Sequence, residues 1–216
     1  MTDTTSLSRW PPAEGLSTPI VARKDAILTT SASISVSAPA QRVFDLLLST
    51  TSYREWNTWV PRVSIQSQPE GVPHDSTDLA VDTKFTFHVI MDERNPGKVF
   101  DTGLRITDIS TPANPSSYIP QEVLDDDPTY TADLSTIYRV SWKTEGGWIN
   151  AGMQAERFHE IIVVGENECE VRTWEVMGGV LARTVKWMMA KTLDEKFVLW
   201  VTSLKKAAEA PQGSST

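Results

Sequence analysis

The chain has one cysteine, Cys169, in 216 residues. No internal disulfide can form, and a cysteine-based zinc or iron–sulfur centre is excluded. Its three histidines, His74, His88 and His159, are scattered, and none stands near another ligand type at a metal-binding spacing. Basic residues are also in short supply: 20 Lys and Arg face 28 Asp and Glu, for a net charge of −8. That balance argues against a nucleic-acid partner, whose phosphates require a basic face. It equally disfavours a protein held on an anionic membrane surface by charge. No apolar run approaches the roughly 18 residues of a membrane span, and the first ten residues lack the basic and apolar regions of a signal peptide. Gly-rich phosphate loops, nucleotide fingerprints and Gly-x-Ser-x-Gly elbows are missing too. A soluble, cytoplasmic protein without metal or cofactor is the expectation.

What remains is 40% apolar and 22% charged, the composition of one globular domain. Its acidity is local. Residues 66–134 hold four basic and thirteen acidic side chains, for −9, while residues 1–25 are balanced. Residues 1–25 are polar, contain Pro11-Pro12 and lack periodicity, which predicts a flexible arm; 26–209 would be the folded domain and 210–216 a disordered tail. Residues 112–134 carry four prolines and the triplet Asp125-Asp126-Asp127. A loop this long reads as a solvated insertion or a lid.

Period-two alternation predicts strands at 31–37, 62–66, 84–91, 103–109, 137–143, 155–164 and 169–177. Two short helices fit 39–48 and 52–57. From Leu181 to Leu204, apolar residues including Val185, Met189, Phe197 and Trp200 recur every three or four positions, predicting one long amphipathic helix. Strands followed by a long helix give an α+β fold with that helix on one face of a curved antiparallel sheet.

Three segments carry a resemblance: Tyr53-Arg54-Glu55-Trp56-Asn57-Thr58-Trp59-Val60-Pro61, Leu79-Ala80-Val81-Asp82-Thr83-Lys84-Phe85 and Thr173-Trp174-Glu175-Val176-Met177-Gly178-Gly179. In their order the chain resembles the START-like helix-grip superfamily, which includes polyketide cyclases and dehydratases, lipid-transfer domains and coenzyme Q-binding proteins. The resemblance spans about residues 31–208. It implies a seven-stranded antiparallel sheet gripping the C-terminal helix, with a hydrophobic cavity between them. Asp82 stands where such proteins often have Gly, and 112–134 is longer than the usual loop.

Pairing Gly165 with Glu168 across a two-residue turn would place Phe158, Glu160, Thr173 and Glu175 on one face, with Arg157 and His159 on the other. An odd-length loop would invert the assignment. On the first register Glu160 and Glu175 are candidate acid–base carboxylates, or else residues neutralised by an inward Arg or placed at a wet rim. Tyr138 is a candidate oxyanion donor or a core residue. Trp56, Trp59, Phe85, Phe87, Trp142, Phe158 and Met189 are candidate ligand contacts. The expected activity is cofactor-free cyclisation, dehydration or isomerisation of a hydrophobic, partly oxygenated molecule of polyketide, terpenoid or quinone type. The alternative is a carrier of lipid or quinone. Oligomeric state is open.

Overall fold

The computed structural model describes residues 10–146 and 152–211. Residues 1–9 of the expected arm, and the expected tail from 212 onward, lie outside them.

The chain begins with β1 (Leu28–Val36), α1 (Ala40–Leu48) and α2 (Tyr53–Trp56). Then follow β2 (Arg62–Ser67), β3 (Lys84–Ile90), β4 (Val99–Ser110), α3 (Gln121–Asp126) and β5 (Ile137–Thr144). A hairpin of β6 (Gln154–Gly165) and β7 (Glu168–Gly178) leads into α4 (Val180–Glu209). Strands β2 to β7 pair in chain order and β1 returns beside β7, giving one seven-stranded antiparallel sheet. Each expected strand is present, most of them a residue or more longer.

At 30 residues α4 is roughly 45 Å long. Its inward stripe of Leu193, Phe197, Trp200 and Leu204 is buried against the sheet's concave face. Thr30 Oγ1 donates to Asp194 Oδ1 at 2.7 Å, and Lys205 Nζ donates to the Ser35 carbonyl at 2.6 Å, fastening the helix along β1. Asp82 is the one non-glycine with positive φ among the described residues, at 69°. Asp tolerates that left-handed conformation better than most residues, so it can replace the expected Gly.

The convex face is covered, contrary to a flexible arm and a solvated flap. Leu16 and Val21 from the arm, and Ile119, Leu124 and Tyr130 from 112–134, pack on Phe158, Trp174 and Val176. Trp174 Nε1 donates to the Ser17 carbonyl at 3.0 Å, and Arg23 pairs with Asp127 at 2.6 Å. A few apolar side chains spaced among prolines suffice to dock both segments, because the outer face of β6 and β7 is itself apolar there.

One irregularity decides the chemistry. Gly165 does pair with Glu168, but Val164 is an extra residue in β6 and Val163 pairs with Cys169. This β-bulge shifts the register by one and turns every earlier β6 side chain to the opposite face.

Candidate functional site

On the concave face β6 therefore presents Arg157 and His159, opposite Glu175 and Thr173 of β7. The Arg157 guanidinium is caged by aromatic rings: its carbon lies 4.1 Å from the Phe197 ring centre, 4.2 Å from Trp200 and 5.3 Å from Trp59. Such contacts offset part of the cost of burying the cation. Its Nε donates to Thr173 Oγ1 at 3.2 Å, while Nη2 has no hydrogen-bond partner among the described residues. Burial lowers the Arg157 pKa to about 10, opposed by the Glu175 charge on the neighbouring strand.

His159 is fully buried, its ring 4.5 Å from Trp142 and 5.5 Å from Trp200. Neither ring nitrogen has a partner among the described residues, and the same holds for Trp59 Nε1, Trp200 Nε1 and Asn57 Nδ2. Buried polar atoms are nearly always paired, so unpaired ones mark places where a ligand or water completes the bonding. The contrast with nearby residues is sharp. Tyr53 OH donates to the Leu47 carbonyl at 2.9 Å, and Trp56 Nε1 donates to Ser52 Oγ at 3.1 Å.

Glu175 is the carboxyl of this cluster, half-buried opposite Arg157. Burial in low-dielectric surroundings raises its pKa, and Arg157 pulls it partly back. A carboxyl whose basicity is raised by burial beside a caged cation can accept a proton from carbon or oxygen while the cation steadies the resulting negative charge. Among the described residues no group of His, Cys, Asp and Glu is placed to hold a metal ion.

No family model matches the sequence. A curated relative, oxopyrrolidines biosynthesis cluster protein O of Penicillium oxalicum, is 28% identical over 187 residues, covering 82% of this chain and 84% of the relative. The hypothetical protein jhp0584 of Helicobacter pylori superposes with a TM-score of 0.62 at 13% identity, over 90% of this chain and 96% of its own. A START superfamily protein of Mycobacterium smegmatis gives 0.54 at 13% identity, over 84% and 97% of the two chains. The Zhui aromatase/cyclase of Streptomyces sp. R1128 gives 0.54 at 11%, over 84% and 93%. The chain has the START-like helix-grip fold.

Within this START-like frame, Trp56, Trp59, Phe85, Phe87 and Trp142 are buried on the concave side, with Met189 half-buried on α4. Rings of this set pack around Trp200 at centre distances of 5.2 Å for Trp56, 5.9 Å for Trp59, 6.0 Å for Phe87 and 6.2 Å for Trp142. Tyr138 is half-buried on the same face, its ring 5.2 Å from Phe44.

Two candidates are elsewhere. The bulge places Phe158 and Glu160 on the convex face, so Glu160 and Glu175 do not share a pocket. Phe158 stacks on Trp174 at 5.1 Å. Glu160 accepts from Arg139 Nη2 at 2.9 Å and from Thr131 Oγ1 at 2.8 Å, with both charged side chains fully buried. Beside it, buried Glu156 accepts from Tyr118 OH at 2.7 Å and Thr107 Oγ1 at 2.8 Å. This network pins the covering segment to the sheet. An open pocket of about 400 Å³ between arm and α3 is also on this side. Its Arg23 is already bound by Asp127, and no unpaired buried polar atom faces it.

Arg157 and His159 were hidden from sequence reasoning because the unbulged register turns them outward. A usable signal existed: setting Glu160 opposite Arg139, the pairing observed between β5 and β6, compensates both charges on one face.

Burial holds the His159 pKa well below its ordinary 6.5, with the Arg157 charge adding to the effect. The unfolded chain takes up this proton below about 6.5 and the folded one does not, so His159 contributes stability above that pH that is lost on acidification. At pH 5.5 the loss is about 1.4 kcal/mol, or about 4 °C in Tm. Buried Glu156 and Asp108 and half-buried Glu175 have raised pKa values and act in the opposite sense. Comparing the Tm of wild type and His159→Gln at pH 7 and 5.5 isolates the histidine: wild type should lose about 4 °C more. Equal pH dependence in the two proteins would show that His159 takes up a proton in the folded state.

Proposed function

We propose that the protein binds a hydrophobic, partly oxygenated small molecule between sheet and α4. We further propose that it catalyses cofactor-free cyclisation, dehydration or isomerisation of that molecule. Glu175 moves the proton, Arg157 steadies the oxyanion, and half-buried Tyr138 on the same face adds a hydroxyl donor. Trp56, Trp59, Phe85, Phe87 and Trp142 form the apolar walls, and Met189 lies toward the solvent end. The observation that carries this reading is the set of buried donors left unpaired among the described residues, Arg157 Nη2, Trp59 Nε1 and Trp200 Nε1, in the ring cluster around Arg157, with half-buried Glu175 opposite Arg157 on β7. A carrier for lipid or quinone needs only apolar walls, whereas buried donors without acceptors suit a ligand that brings oxygen atoms.

The relative named for an oxopyrrolidine biosynthesis cluster supports a place in secondary metabolism and a substrate with a carbonyl-bearing ring. The cyclase among the structural neighbours shares the fold. Native mass spectrometry of the protein purified from its source tests the binding claim. A bound small molecule is expected on wild type and should be lost from Arg157→Met. An empty wild type, or a ligand equally retained by the variant, contradicts it.

A further inference from the structure

The first third of α4 is apolar on its outward side as well as its inward one. Trp187 is 85% exposed, Val180 71% and Met188 66%. Their positions, with Arg183, Thr184 and Lys191, follow the i, i+3, i+4, i+7, i+8, i+11 spacing of a single helical face. From Val180 to Leu193 the helix holds Arg183, Lys186 and Lys191 and no acidic residue, within a chain whose net charge is −8. Arg183 and Lys186 make no ion pair among the described residues, and Lys191 meets only exposed Glu195, at 3.9 Å. Opposite this stripe, Val185 and Met189 pack against the core.

We propose that this segment of α4 docks on a lipid surface rich in anionic headgroups. Trp187, Met188 and Val180 enter the interfacial layer, and Arg183 and Lys191, on the same face, meet the phosphates. A convex ridge tipped by Trp and flanked by cations suits a flat, apolar, anionic surface. A second copy suits it less, because a two-fold contact would bring the same cations face to face. The acidic helix α3 belongs to the cover on the opposite sheet face, and charges more than about 8 Å from the membrane are screened at physiological salt. The docked helix would form the wall between bilayer and protein interior, with Met189 on its inner side, a route for a poorly soluble ligand. The docking claim stands on the surface alone and does not depend on the chemistry proposed for Glu175.

The test is co-sedimentation of the full chain with phosphatidylcholine vesicles, with and without about 30% phosphatidylserine. Wild type should pellet with the anionic vesicles only and be released by about 0.5 M salt. Trp187→Ala, and separately the double change Arg183→Glu and Lys191→Glu, should each lower the partition coefficient at least about tenfold with an unchanged Tm, since these side chains are exposed. Absence of pelleting, or pelleting untouched by either variant, overturns the proposal. So does a concentration-dependent dimer that Trp187→Ala abolishes, which would make the ridge a contact between copies.

Discussion

Glu175→Gln is expected to lower turnover by about 10²- to 10⁴-fold while leaving ligand affinity nearly unchanged. General-base catalysis contributes on that order, and the amide keeps the size and hydrogen-bonding reach of the carboxyl without its basicity. The pH dependence carries a second signature. The base must be ionised to act, so the rate should fall on the acid side through a pKa above the ordinary carboxylate value, because burial raises Glu175. Arg157 lowers that pKa, so in Arg157→Met, assayed at substrate concentrations high enough to overcome its weakened binding, the acid limb should move to still higher pH. A Glu175→Gln enzyme with wild-type turnover would remove the acid–base role. A loss of affinity equal to the loss of rate would instead make Glu175 a binding residue.

Glu160→Ala is expected to produce a large loss of stability. Glu160 and Arg139 are both fully buried and bonded at 2.9 Å. Removing one member leaves a buried cation whose next carboxylate, Asp108, stands 3.8 Å from Nη1, too far for a hydrogen bond. Breaking such a pair costs about 3–5 kcal/mol, or roughly 10 °C in Tm for a chain of this size. The Thr131 backbone and hydroxyl lose their acceptor as well, so protease sensitivity should rise in 112–134 before elsewhere. A double change, Glu160→Leu with Arg139→Met, should recover much of the loss, as replacing a buried pair by apolar groups often does. A Tm drop below about 2 °C in the single variant would show that Arg139 finds another partner, and turnover lost at full stability would return Glu160 to the chemistry.

Much of this architecture was legible because strands alternate with period two and α4 repeats with period near 3.6, patterns enforced by burying one face. The inward set of β7, Cys169, Val171, Thr173 and Glu175, follows from Glu170 and Arg172 needing the other side. The inward set of β6 does not follow. Val163 and Val164 are chemically alike, and nothing in their composition says which is left unpaired in the bulge. One residue of slip exchanged Glu160 and Phe158 for Arg157 and His159. A caged arginine also defeats a rule that sends charge to solvent, because the rings that stabilise it come from α4 and the Trp59 turn, far away in sequence. The arm was unreadable for a related reason: Leu16 and Val21 form no period, and their burial depends on an apolar strip made by β6 and β7.

The central claim is that the ligand sits among Arg157, Trp59 and Trp200, between sheet and helix. The tryptophan indole N–H signals of a ¹H–¹⁵N NMR spectrum report on it directly, since Trp59 and Trp200 have no acceptor among the described residues while Trp10 and Trp174 on the convex side donate to Thr129 and Ser17 carbonyls. On titration with the molecule that co-purifies, the Trp59 and Trp200 indole signals should move downfield as they gain oxygen acceptors, with Trp10 and Trp174 unmoved. Shifts confined to Trp10 and Trp174 would place the ligand in the pocket beneath the arm and contradict the account.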